Sequence, residues 1–134
     1  MIVQGEGVME WVAKRNEGDF GRKYAAIGQM RDGELIAGVV YDNYNGRNVV
    51  GAVAIDRPPT RKFWTSIFSY AFETLDCHRM TVYVEESNTK SMKLMKKLGF
   101  EREGALMGAA EDGGNIIIFY MRKTACRMLD WRRT

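Results

Sequence analysis

The stretch ESNTKSMKLMKKLGF, residues 86–100, decides how the chain folds. Residues 79–85 before it are rich in β-branched side chains, with Val82 and Val84 facing one way and Thr81 and Tyr83 the other, the two-residue period of a strand. Ser87 and Asn88 are both good N-cap residues. Beyond them Ser91, Leu94, Met95 and Leu98 share one side of a helix, and Lys90, Lys93, Lys96 and Lys97 lie largely on the other. Gly99 stands where a helix ends on a left-handed residue, and Phe100 restarts an extended segment. The order is strand, cap, short amphipathic helix, glycine stop, strand: an αβ unit.

The same residues carry a family resemblance. Asn88, Ser91, Leu94-Met95, Leu98-Gly99-Phe100 and then Glu101-Arg102-Glu103-Gly104 resemble the cofactor-proximal half of the GNAT acyltransferases. They resemble in particular the branch that acetylates the N-termini of ribosomal proteins. The match covers roughly residues 79–122, about a third of the chain, and the Asn-to-Gly-Phe spacing is its specific part. Small phage and prophage GNAT-like proteins are similar over more of the length, including Ala37-Gly38-Val39 and Arg61-Lys62.

Working outward, residues 1–7 read as a loose end or a short edge strand. Val8, Trp11 and Val12 mark a short amphipathic helix over 8–14, and Glu17-Gly18-Asp19-Phe20-Gly21 a loop. Two apolar runs, 24–31 and 35–41, flank Asp32-Gly33, a strong hairpin signal. Asn45-Gly46 marks a second turn. Residues 48–55 are nearly all apolar or small, as in a central strand covered on both faces. Pro58-Pro59 stop that strand. Thr60 caps a helix carrying Phe63, Trp64, Ile67, Phe68, Ala71, Phe72 and Leu75 at 3.6-residue spacing. Two strands, 100–107 and 115–122, are split by Asp112-Gly113-Gly114, and 123–134 reads as a short helix with Met128, Leu129 and Trp131. A meander followed by crossovers gives an α/β (α+β) domain, a mixed and mostly antiparallel central sheet flanked by helices in three layers. That order agrees with the GNAT fold, with a curtailed N-terminal region.

Composition narrows the function classes. The 134 residues favour a single domain with a real core, and 46% hydrophobic with 28% charged residues is ordinary for a globular chain. A net charge of +3 permits polyanions without implying them. Cys77 and Cys126 match no metal or disulfide spacing, which makes a reducing cytoplasm the default. A lone histidine, His78, argues against a His-based zinc site or a Ser-His-Asp triad and reads as a linker residue. No run of about 18 apolar residues and no leader pattern is present, so neither a membrane span nor a secretion signal is expected.

The resemblance implies acetyl-CoA as donor, a primary amine on a small molecule or protein as acceptor, and direct transfer in a ternary complex by a monomer or homodimer. It places the cofactor along the central strand, at Val53, Ala54 and Ile55, and on the loop that opens the next helix. That loop departs from the family's glycine-rich pattern: it reads Asp56-Arg57-Pro58-Pro59-Thr60-Arg61-Lys62, without glycine. Arg57, Thr60, Arg61 and Lys62 are read instead as a cationic phosphate site at a helix N-terminus, with a solvated basic corner as the alternative. Asn88 is expected to hydrogen-bond the cofactor's pantetheine arm near the reacting end, or simply to cap its helix; Ser91 faces the same side, where packing is its alternative role. Many GNATs carry a proton-donating tyrosine seven residues after that asparagine. Met95 stands there, so Tyr83 and Glu85, and after them Glu86, Tyr120 and Tyr41, are the substitute acids or bases, with structural roles as the alternative.

The lysine helix is read as a solvated face that could assist the cofactor's 3′-phosphate, Cys77 as a small buried hydrophobe, and the Phe63/Trp64/Phe68/Phe72 face as core. The Arg127…Trp131-Arg132-Arg133 cluster is read as a solvated tail able to touch nucleic acid or acidic protein. Two further readings remain at this point: a GNAT-fold binding or interaction module without transferase activity, and a phage-type modifier of nucleic acid.

Overall fold

The computed structural model describes residues 1–16 and 24–129. Its elements are β1 (Ile2–Gln4), α1 (Glu6–Asn16), β2 (Ala25–Arg31), β3 (Glu34–Asp42), β4 (Asn48–Ile55), α2 (Arg61–Ser69), β5 (Arg79–Glu85), α3 (Thr89–Leu98), β6 (Glu101–Leu106) and β7 (Ile116–Arg122). They form a seven-stranded sheet in the order β1-β2-β3-β4-β5-β7-β6. Among the described residues β4 and β5 are the parallel pair; the other neighbours are antiparallel. The expected mixed, mostly antiparallel sheet is therefore present, and β1 extends its edge.

Turn chemistry sets the registers. Asp32 and Gly33 both have positive φ, 53° and 80°, the paired left-handed conformation a two-residue hairpin needs. Alternation along β2–β4 then divides the core. Ala26, Val40 and Ala54 face Val8 and Val12 of α1, while Ile27, Val39, Tyr41 and Val49 join Phe63, Ile67 and Phe68 of α2 on the other face. The aromatic face of α2 is core: Phe68 stacks near Phe72 and Phe100, with ring centroids 6.3 and 6.0 Å away. Cys77 is buried, as read from the sequence. Three layers result.

Two local findings differ from the sequence reading. α2 does not stay α-helical to Leu75 but passes into a π-turn at Tyr70–Thr74. The segment after β7 is a 3₁₀ turn, Lys123–Ala125, with no longer helix among the described residues. Arg127 is not a free tail residue: it donates to the Lys97 carbonyl at 3.4 Å and lies over Gly99, a cation closing the C-terminus of α3. The expected 17–21 loop and the Trp131-Arg132-Arg133 cluster lie outside the described residues. Among those described, no helix is long and apolar enough to cross a membrane.

Candidate active site

β4 and β5 begin side by side, but their pairing stops after residues 48–51 have met residues 79–82. β4 runs on to Ile55 against β3, and β5 to Glu85 against β7. Beyond Gly51 and Val82 the two strands part. Gly51, the last residue of β4 paired with β5, leaves room for Met80, whose terminal methyl a Cβ there would overlap. Two adjoining cavities of about 370 and 360 Å³ fill the wedge and share Arg15, Asn16, Val53, Asn88 and Ser91 in their walls. Each lies in the size range of small-molecule sites.

Strand geometry leaves backbone groups facing this wedge. The Val53 carbonyl accepts from the Asn16 side chain at 3.4 Å, across the cleft mouth. A strand residue sends its N–H and C=O to the same side, so the Val53 N–H is a donor directed into the cleft. Ala54, Ile55 and Arg57 line the same wall, and Lys90 and Leu94 the wall opposite. Asn88 caps α3: its Oδ1 accepts from the Ser91 N–H at 3.2 Å, and among the described residues its Nδ2 has no protein acceptor. Tyr83, which is half-exposed, and Glu85 line the other cavity, as does the buried Met95.

The phosphate-loop residues divide. Arg57 lines the cleft; Thr60, Arg61 and Lys62 are not among its lining residues. Thr60 is held elsewhere. Its hydroxyl accepts from the Phe63 N–H at 3.3 Å, and its own N–H and hydroxyl donate to the buried Gln29 Oε1 at 2.9 and 3.1 Å. The Asp56 and Arg57 N–H groups both donate to the Ile36 carbonyl, at 2.8 and 3.2 Å. With two prolines in the loop, the N–H groups of Arg61 and Lys62 are left as its outward donors, at the first turn of α2.

The substitute acids and bases also divide. Tyr41 is buried in the core and donates to the Ile67 carbonyl at 2.6 Å; burial pushes its phenol well above its ordinary pKa. Tyr120 donates to Glu101 at 2.8 Å and lines another cavity, with Arg47 and His78. Glu86 accepts from the Asn115 amide at 3.2 Å and faces Arg102 at 3.8 Å. None of these three lines the cleft.

Sequence reading missed Arg15, Asn16, Asp56 and Glu111 as cleft residues. Arg15 grips Asp56 through two hydrogen bonds of 3.0 and 2.9 Å, and its guanidinium lies 3.5 Å from the centre of the Trp11 ring. That hydrogen bonding holds the Asp56 carboxyl below its usual pKa. The only sequence signal was the amphipathic spacing of α1, which does not say what its last turn faces. Charge is distributed unevenly over the cleft: Arg57, Lys90 and Asp56 line one cavity, Glu85 and Glu111 the other, and Arg15, paired with Asp56, lines both.

Residues 4–101 match the family described as acetyltransferase (GNAT) domain. The uncharacterized N-acetyltransferase p20 of Bacillus licheniformis is 36% identical over 55 residues, 41% of this chain and 31% of that protein. The uncharacterized N-acetyltransferase YnaD of Bacillus subtilis (strain 168) is 29% identical over 97 residues, 67% of this chain and 56% of that protein. The chain thus spans about a third to about half of the length of these relatives. Among solved structures, mutant forms of the spermidine/spermine N-acetyltransferase SpeG from Vibrio cholerae superpose with a TM-score of 0.74 at 15% identity, over 92% of this chain and 95% of that one. The Vibrio cholerae spermidine N-acetyltransferase in complex with CoA and spermine gives 0.67 at 18% identity, over 87% and 75%. At these identities the likeness is one of fold.

Proposed function

The chain belongs to the GNAT acetyltransferase-domain family, and on that premise we propose that it transfers an acetyl group from acetyl-CoA to a primary amine, directly, in a ternary complex. The observation that carries this reading is the parting of β4 from β5, which opens a two-lobed cleft with Val53 on one wall and Asn88 on the other.

The residues present fit such a cofactor. The Val53 N–H offers a donor to a carbonyl, the Asn88 Nδ2 a second, and Arg57, Lys90 and the first turn of α2 offer positive charge to phosphates. When bound, acetyl-CoA supplies the activated thioester. The chain's own part is to align it with the amine and to exclude water from the narrow end of the wedge. Transfer forms a C–N bond and breaks the C–S bond; the amine loses a proton and the thiolate gains one. Met95 cannot supply that proton. Tyr83 and Glu85 are among the residues lining the cleft, and we assign their phenol and carboxylate the proton-handling roles. Glu85 and Glu111, which line one cavity of the cleft, suit a cationic acceptor. Spermidine-like amines and, from the resemblance of the 88–100 segment to the ribosomal-protein branch, a peptide N-terminus are the acceptors to test.

A second reading, a GNAT-fold binding module without transfer, is favoured by one observation: the β4–α2 loop has no glycine and commits the Asp56, Arg57 and Thr60 N–H groups to protein acceptors. A thermal melt with millimolar acetyl-CoA, beside adenosine 3′,5′-bisphosphate, separates the two. A ligand at about 100 times its dissociation constant stabilises a fold by about 2.7 kcal/mol. The expected result is a raised midpoint with acetyl-CoA, followed by amine-dependent thiol release. No shift with either compound would overturn the transferase reading; a shift without thiol release from any amine would favour the binding module.

A further inference from the structure

A further cavity of about 650 Å³ opens where β3 ends and the π-turn after α2 finishes, and it shares no lining residue with the cleft. Its lining residues include Tyr24, Tyr41, Tyr44 and Tyr70, with Leu75, and Asp42 is the one acidic residue among them. Two of the phenols already have backbone acceptors: Tyr41 donates to Ile67, and Tyr44 donates to the Leu75 carbonyl at 3.0 Å. Neither offers a free hydroxyl donor, and Tyr41 is buried in the core while the Tyr44 ring is half-exposed. Tyr44 bridges from the β3–β4 loop to the end of the π-turn, closing one side.

Asp42 is the informative group. It is partly buried, its hydrogen bond comes from the Asn43 side chain at 3.3 Å, and among the described residues it pairs with no cation. Asn43 itself takes a left-handed conformation, φ 52°, at the cavity rim. A partly buried acid that pairs with no cation among the described residues, beside aromatic side chains, defines a ligand chemistry. An anion would be repelled. A divalent metal ion would need several oxygen ligands, and one carboxylate supplies too few. A weakly hydrated organic cation meets both features, by pairing with the carboxylate and by resting against the aromatic rings.

We propose that this cavity binds a small organic ammonium ion, with Asp42 as its counter-ion and Tyr24, Tyr44 and Tyr70 as its aromatic walls, at a site separate from the transfer cleft. Choline is the probe, titrated calorimetrically into the intact protein, beside 3,3-dimethylbutan-1-ol, its neutral isostere. Saturable choline binding is expected, weakened roughly tenfold or more in Asp42→Asn and for the neutral isostere, and unchanged by saturating coenzyme A. Tyr44→Leu should weaken choline more than Tyr44→Phe, which removes the same hydroxyl bridge to Leu75 but keeps the ring. Equal affinity for choline and its isostere, or for Asp42→Asn and the parent, overturns the assignment. So does the absence of saturable binding, or displacement of choline by coenzyme A, which would move the ligand to the cleft. Because no outcome uses acetyl transfer, failure here leaves the transferase reading untouched, and the reverse also holds.

Discussion

Asn88 performs one task with one end of its amide and leaves the other end available. Oδ1 caps α3 through the Ser91 N–H, and Nδ2 stands at the cleft wall. The two roles can be separated. Asn88→Ala removes both: the lost cap costs about 1 kcal/mol of stability, and acetyl-CoA affinity should fall further, about tenfold, for the missing donor. Asn88→Asp keeps a cap of similar quality but has no donor. Its melting midpoint should match the parent while its acetyl-CoA affinity drops, measured by titration on both variants. A fully active binding curve for Asn88→Asp would leave Asn88 as a cap and nothing more. The capping role was legible in the sequence because it depends on neighbours one turn away. Arg15 was not legible: its partner Asp56 is 41 positions distant, and no local period links the two. Gln29 hid in the same way. A lone glutamine in an apolar strand gives no sign that it will hold the Thr60 N–H and hydroxyl and so withdraw them from the phosphate loop.

Elements whose signals are local came through: the hairpin at Asp32-Gly33, the amphipathic α2 and α3, and the glycine stop at Gly99, which has φ 105°. The π-turn was not visible. It arises because the Leu75 N–H reaches back to the Tyr70 carbonyl just before Asp76 turns left-handed, while the apolar spacing through Phe72 continues as if the helix were regular. The docking of α1 was also hidden, since glycines in β2 and β3 give no pattern of their own. A Cβ at Gly38 would come within 2.8 Å of Val12 Cγ2 and 3.1 Å of Val8 Cγ1. Both valines are β-branched and have little rotamer freedom in a helix. Gly38→Ala must therefore displace α1, at a cost of about 1–3 kcal/mol. Because α1 carries Arg15 and Asn16 to the cleft mouth, the acetyl-CoA-induced rise in midpoint should shrink as well. Melts with and without acetyl-CoA test this. A stable Gly38→Ala protein with an unchanged ligand shift would mean that α1 does not position the cleft.

At the scale of the molecule, charge and burial set opposite limits with pH. Asp56, Asp76 and Glu103 are held below their usual pKa by hydrogen bonds from Arg15, Lys123 and Arg79. Stability from these pairs is present above the unfolded carboxylate range, near about pH 4, and is lost as pH falls through the folded values. All three pairs are at the surface, so each contributes little. Toward the alkaline limit, the Cys77 and Cys126 thiols and the Tyr41 phenol are buried acids whose pKa burial raises. Tyr41 joins β3 to α2 through its hydroxyl, and burial raises its pKa. Unfolded, a tyrosine ionises near about pH 10. Above that pH the unfolded chain has lost the Tyr41 proton and the folded chain still holds it. The unfolded state then binds fewer protons, and stability must fall as pH climbs. Tyr41→Phe removes this linkage. At pH 7 the variant should be less stable by about 1–2 kcal/mol, because the Ile67 carbonyl loses its hydroxyl donor, although the Tyr70 N–H still reaches it. Between about pH 9 and 11 its midpoint should then decline less steeply than the parent's, so that the two curves converge. Parallel curves through that range would show that the alkaline limit lies with other groups and that Tyr41 serves the fold by packing alone.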